Sequence, residues 1–191
     1  MNMNTTNPRL AVGPLILAAM IVLACLSRLL PHPPNFSPIA AVGLFGGAFF
    51  ASRSLALLVP VLAVVISDVA LGYINGGLYG DYVGSNGQLI VLGATVLCTV
   101  VGFALRDRKS SPAIAGAALV STAVFFLVTN FGAFLSDPQY PKTVAGLGMA
   151  YMAGIPFVKW SLVSTLMYSA FLFGGFQLLR SGAPALRTQT V

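Results

Sequence analysis

This sequence predicts an all-α integral membrane protein, a bundle of about six transmembrane helices forming one domain over residues 1–191. Three observations lead there. Only 7% of the 191 residues are charged, against about a quarter in a soluble domain, too few to cover a water-facing surface. Hydrophobic residues make up 57% of the chain, and the mean hydropathy is +0.90. The apolar residues gather in six stretches, most of them near the ~20 residues that a spanning helix needs. Lipid offers no partners for backbone polar groups, so runs this continuous must be helical.

The first stretch, residues 10–30, follows Arg9 and has the length of a span. No small-residue cleavage site follows it, so it reads as a retained helix rather than a removed signal. The second, 38–51, has about 14 residues and is the weakest span; a re-entrant segment is the rival reading. It carries Gly43, Gly47 and Ala51 at four-residue spacing, a small-residue stripe where another backbone can come close. That stripe could serve packing within the bundle or a partner subunit. The third stretch, 55–72, contains Pro60, expected to bend it. The fourth is 88–105. The fifth, 112–135, repeats the small-residue device at Ala113 and Ala117, and the sixth covers 156–179. Cys25 and Cys98 fall in separate apolar stretches and read as small buried apolar residues.

Charge sets orientation. The net charge of +6 comes from ten basic residues against four acidic ones. The basic cluster Arg106-Asp107-Arg108-Lys109 has no aromatic residues interleaved, so it marks a membrane-facing loop rather than a nucleic-acid interface. With six crossings and a cytoplasmic N-terminus, Arg9, Arg53, Arg106, Arg108, Lys109, Arg180 and Arg187 lie inside. Only Arg28, Lys142 and Lys159 lie outside. The positive-inside rule favours this topology, with both termini cytoplasmic in an inner membrane.

On that topology the polar residues are lopsided. Arg28, His32 and Asn35 follow the first helix, and Asp68 lies about one turn before the outer end of the third. Tyr73, Asn75, Tyr79, Asp81, Tyr82 and Asn86 fill a glycine-rich loop. Asn130 is in the outer part of the fifth helix, Tyr151 is in the last external loop, and Lys159 and Trp160 open the sixth helix. Asp68 is the most telling, because a carboxylate in an apolar helix is costly and is by default functional; a structural ion pair is its plain alternative. Asn130 could simply bond a neighbouring helix. His32 could sit in a loop hydrogen bond, Arg28 could snorkel to headgroups, and Lys159 could anchor at the interface. The clustering points to a solute cavity with Asp68, Asn130 and Lys159 supplying polarity. His32, Asn35 and Tyr82 would form its rim, with Arg28 and Tyr151 nearby.

Enzymatic chemistry finds no footing. The chain has no phosphate-binding G-x-x-x-x-G-K-[ST], no H-E-x-x-H, no G-x-S-x-G and no glutamate. One histidine and two separated cysteines cannot build a protein-only zinc site. Neither a metal nor a cofactor is expected.

The segment Arg28-Leu-Leu-Pro-His-Pro-Pro-Asn-Phe-Ser-Pro-Ile39, followed by Gly43-Leu-Phe-Gly-Gly47, resembles a family of small bacterial membrane proteins of largely unknown function. Ile66-Ser-Asp-Val-Ala-Leu-Gly72, Phe125-Phe-Leu-Val-Thr-Asn130, Tyr140-Pro-Lys-Thr-Val-Ala-Gly146, Tyr151 and Ile155-Pro-Phe157 extend the likeness to the start of the sixth helix. That family in turn is similar to the substrate-binding S-components of energy-coupling-factor vitamin transporters, notably cobalamin transporters of the BtuM type. The resemblance implies a six-helix fold with an outward pocket lined by Asp68, the loop after it and residues near Lys159. BtuM-type proteins place a cobalt-binding cysteine in that loop. Here Gly72-Tyr-Ile-Asn-Gly-Gly-Leu-Tyr-Gly-Asp-Tyr82 has neither Cys nor His.

The function expected is uptake of a vitamin-like small molecule, cobalamin among the candidates, bound at the extracytoplasmic face. Without an ATPase motif, energy would come from energy-coupling ATPase and transmembrane subunits or from the solute gradient. A non-transporting accessory subunit of a larger membrane complex is the alternative.

Overall fold

A computed structural model describes residues 12–183, 186 and 190–191. Arg9, Arg187 and the first two residues of the expected first helix lie outside them. The described residues form seven α-helices and no strand: α1 Val12–Leu26, α2 Ile39–Phe49, α3 Arg53–Asn75, α4 Gly77–Tyr82, α5 Asn86–Phe103, α6 Ser111–Ser136 and α7 Val144–Gly182. A 3-10 turn, Ser27–Leu29, extends α1.

Five of these elements are long and apolar enough to cross a membrane: Val12–Leu29, α3, α5, α6 and α7. The protein is a multi-pass helical bundle. Of the about six spans expected, the second (α2), already the weakest, is the one that falls short of spanning length. Its 11 residues rise only about 16 Å, well short of a ~30 Å hydrocarbon layer. Every residue of α2 is buried, as befits a helix that is apolar on all sides. It packs against α1, α3, α5, α6 and α7 and forms the centre of the bundle.

Glycine makes that centre possible. A methyl on Gly43 would lie 3.1 Å from Cys98 Cβ, and one on Gly47 would lie 3.0 Å from Gly102 Cα. Gly43 and Gly47 are thus spent on the internal contact with α5, while Ala51 is exposed beyond the end of α2. On another side, Phe45 and Phe49 meet Phe173 and Phe176 of α7, with ring centroids 4.7–5.9 Å apart. Buried Pro60 of α3 faces Gly46.

Helix ends follow local chemistry. Ser52 and Ser85 accept backbone N–H bonds at the starts of α3 and α5, and Thr143 does so for α7, each capping free donors. Gly76, at φ +59°, ends α3 in a conformation that glycine adopts without penalty. Two boundaries differ from the sequence expectation. The loop after α3 folds partly into α4. The last external loop is much shorter than expected, because α7 begins at Val144 and runs unbroken through Pro156. Gly146 and Gly154 within α7 are sites of close approach. A methyl on Gly146 would strike the Pro141 carbonyl, and one on Gly154 would strike Asn130.

Counting short α2, the six main helices alternate direction, so α1 and α3 run parallel. At one end, Arg28 after α1 pairs with Asp68 near the end of α3, and Gln88 at the start of α5 joins them. At the other end, Arg106 after α5 donates to the carbonyl oxygens of Gly47 (3.1 Å) and Phe50 (2.8 Å), closing the end of α2. Arg53, Arg108, Lys109 and Arg180 belong to this second, basic end. Burial and nearby Arg180 push the Lys109 ammonium below its ordinary pKa.

Candidate functional site

The end of the bundle opposite the basic cluster holds a cavity of about 520 Å³. Ile39, the first residue of α2, borders it. A short α2 leaves space between the surrounding longer helices, and the segment 31–38 lies across that space. Four prolines in this segment lack backbone N–H groups, so it cannot continue a helix. It turns instead, with Phe36 N–H donating to Pro33 O at 3.1 Å. Asn35 adopts φ +61°, a left-handed conformation that asparagine tolerates better than most residues. Ser161 of α7 tethers the segment by donating to Asn35 O at 3.4 Å.

Five of the eight sequence-predicted residues border the cavity: Arg28, His32, Asn35, Tyr82 and Asn130. The other three do not. Asp68 is 3% exposed and sits behind Arg28. Its Oδ1 accepts from Arg28 Nη1 at 2.6 Å and its Oδ2 from Gln88 Nε2 at 3.0 Å. Tyr151 leans away, donating its hydroxyl to Leu127 O at 3.1 Å, with its ring tilted against Phe126 at a centroid distance of 5.8 Å. Lys159 is exposed, with its ammonium 5.3 Å from the Trp160 ring, so the cavity polarity expected from Lys159 comes from other groups. Helical phase decides this. Lys159 lies between Val158 and Ser161, which border the cavity, but points to another side of α7.

Sequence reasoning passed over much of the wall. Phe125, Phe126 and Thr129 of α6 and Gly154, Phe157 and Ser161 of α7 all border the cavity. Positions 125, 126, 129 and 130 share one helix face at three- and four-residue spacing, a signal available once Asn130 is taken as an anchor. Gln88 was also missed; it fixes Asp68 and the turn at Gly84, whose N–H it accepts at 2.8 Å.

Arg28 is the one charged side chain on the cavity wall among the described residues. Its Nη1 donates to Asp68 and also to Ser67 Oγ at 2.6 Å, while Nε and Nη2 carry no hydrogen bond among the described residues. The buried carboxylate holds the guanidinium in one pose. His32 stacks its ring nitrogens near Pro33 O (2.9 Å) and Arg28 O (3.2 Å), bracing the same turn. Burial, followed by the charge of Asp68, pushes the Tyr82 phenol up to about 12, so it stays a neutral donor and acceptor at physiological pH. Ser37 Oγ is buried at the cavity without a hydrogen-bond partner. The wall therefore combines one fixed cation, several neutral polar groups and aromatic faces, the composition expected of a small-molecule site.

A family model matches residues 9–186, nearly the whole chain. The chain belongs to the DUF6580 family. That family is described as one of unknown function, so membership groups this bundle with its relatives without assigning them a chemistry. No curated protein and no solved structure matches the chain.

Proposed function

We propose that this protein is a membrane uptake component that binds a vitamin-like small molecule in the cavity at its extracytoplasmic end and moves it inward. The observation that carries the reading is the polarity of the bundle. The cavity with Arg28, His32, Asn35, Tyr82 and Asn130 opens at one end, and Arg53, Arg106, Arg108, Lys109 and Arg180 crowd the other. Under the positive-inside rule a basic end faces the cytoplasm; on this reading the cavity lies outside and both termini inside a bacterial cytoplasmic membrane. An S-component-like arrangement of six passages accords with this. Short α2 runs opposite to α1 and α3 and makes the sixth passage inside the shell of longer helices. Inward transfer requires a solute that binds the outward and inward states unequally. Its energy would come from ATPase and transmembrane partner subunits or from the solute gradient.

A cavity of about 520 Å³ suits a drug-sized solute better than a whole corrinoid, which would project from the mouth. Cobalamin is therefore one arm of the test among smaller vitamins. The accessory-subunit alternative leaned on a free small-residue stripe, and Gly43 and Gly47 are buried against α5.

Uptake of labelled vitamins, cobalamin included, should be measured in cells expressing wild type or Gly154→Leu, whose side chain would intrude on Asn130 and the cavity. Accumulation of at least one solute by wild type and its loss in the variant is the expected result. Equal accumulation of every solute by both, at matched membrane levels, would overturn the reading.

A further inference from the structure

We infer that the solute held in this cavity is a flat aromatic carboxylate, bound through the free edge of Arg28; the inference rests on the uptake reading above. A guanidinium presents its donors in a rigid planar fork, and a carboxylate accepts from two parallel N–H groups at once. Asp68 and Ser67 both accept from Nη1. That leaves Nε–H and the adjacent N–H of Nη2 as a complete bidentate edge with no partner among the described residues. The Arg28 side chain is 14% exposed and borders the cavity, whereas Asp68 has a side-chain exposure of 1% and does not. A solute therefore meets the cation and not its counter-ion. Were the pair purely structural, a bidentate Arg–carboxylate geometry would satisfy it best. The observed pairing is single-pronged, with Gln88 taking the second carboxylate oxygen.

The rest of the wall selects the body that carries the carboxylate. Phe125, Phe126, Phe157, Tyr79, Tyr82 and Tyr140 border the cavity and offer ring faces and edges to a flat unsaturated ring. Cationic solutes are disfavoured by Arg28. Neutral amides of the same shape cannot use the bidentate edge fully, because an amide offers one acceptor oxygen where a carboxylate offers two.

The test uses the full chain purified into lipid nanodiscs, with nicotinate and benzoate compared with nicotinamide and benzamide by calorimetric titration. Carboxylates should bind about ten times more tightly than their amides. Arg28→Lys, which keeps the charge and loses the fork, should weaken carboxylate binding more than amide binding and so shrink that preference severalfold. Amides binding as tightly as carboxylates would overturn the inference and leave the uptake reading standing. Absence of binding by all four probes would also overturn it, and the uptake assay would then judge the broader reading separately. The wild-type comparison needs no substitution, so it decides the matter even where Arg28→Lys fails to fold.

Discussion

Gly47 of α2 and Gly102 of α5 touch backbone to backbone: a methyl on either would come within 3.0 Å of the other's Cα. The same methyls would also strike the carbonyl oxygens of Thr99 and Leu44. This crossing holds the short central helix in the bundle, and the space beside Ile39 depends on where α2 is held. Gly47→Ala or Gly102→Ala should therefore destabilise the protein by about 1–3 kcal/mol through overpacking. Gly116→Ala is the control, since nothing lies within 4 Å of its added methyl. Thermal unfolding in mild detergent checks this. Melting temperatures that fall equally for all three variants would contradict it.

Removing Asp68 strands a guanidinium. Because Asp68 is almost wholly buried, Asp68→Ala should cost about 3–5 kcal/mol. The double variant Arg28→Gln/Asp68→Ala should recover a large part of that loss, since no lone charge remains. A double-mutant cycle on unfolding free energies measures the coupling, and additive losses would show that the two side chains do not depend on each other.

Gly154 makes room for Asn130. Its added methyl would overlap Asn130 Oδ1 and approach Phe126 Cε2 to 2.8 Å, and both neighbours border the cavity. Gly154→Ala should weaken solute binding about tenfold, or ~1.4 kcal/mol, with a smaller effect on melting than Gly47→Ala. Unchanged affinity in a folded variant would remove Asn130 and Phe126 from the binding wall.

Tyr82 should titrate late. Its phenol is raised from 10.0 to about 12 by burial and then by Asp68, so the folded state holds this proton more tightly than the unfolded chain does. The associated stability is fully present below pH 10 and is lost as pH rises from about 10 to about 12. Ultraviolet difference absorbance of wild type against Tyr82→Phe should show one tyrosine ionising late. A variant that loses stability just as steeply over that alkaline range would exclude Tyr82 as the cause.

At the basic end, Arg106 closes α2 by donating to Gly47 and Phe50, with its guanidinium 4.7 Å from the Phe103 ring centroid. Arg106→Ala should cost about 1.5–3 kcal/mol, the range for hydrogen bonds to a charged group. Arg108→Ala, on an exposed neighbour, should cost far less. Chemical unfolding of the two variants separates these outcomes.

Hydropathy alone dictated a helical membrane bundle, since runs of apolar residues have one way to satisfy their backbone in lipid. The gathering of Arg28, His32, Asn35, Tyr82 and Asn130 at one end was equally legible, because a helix carries residues to its ends by length alone. Tertiary structure decided the rest. Only packing reveals that α2 is a buried core element, that Gly154 and Pro156 lie within a continuous helix, and that Asp68 stands behind Arg28 instead of facing the cavity. Lys159 turns outward for the same reason. Depth along a helix follows from counting residues, whereas the direction of a side chain depends on which neighbours occupy each face, and those neighbours come from distant parts of the chain.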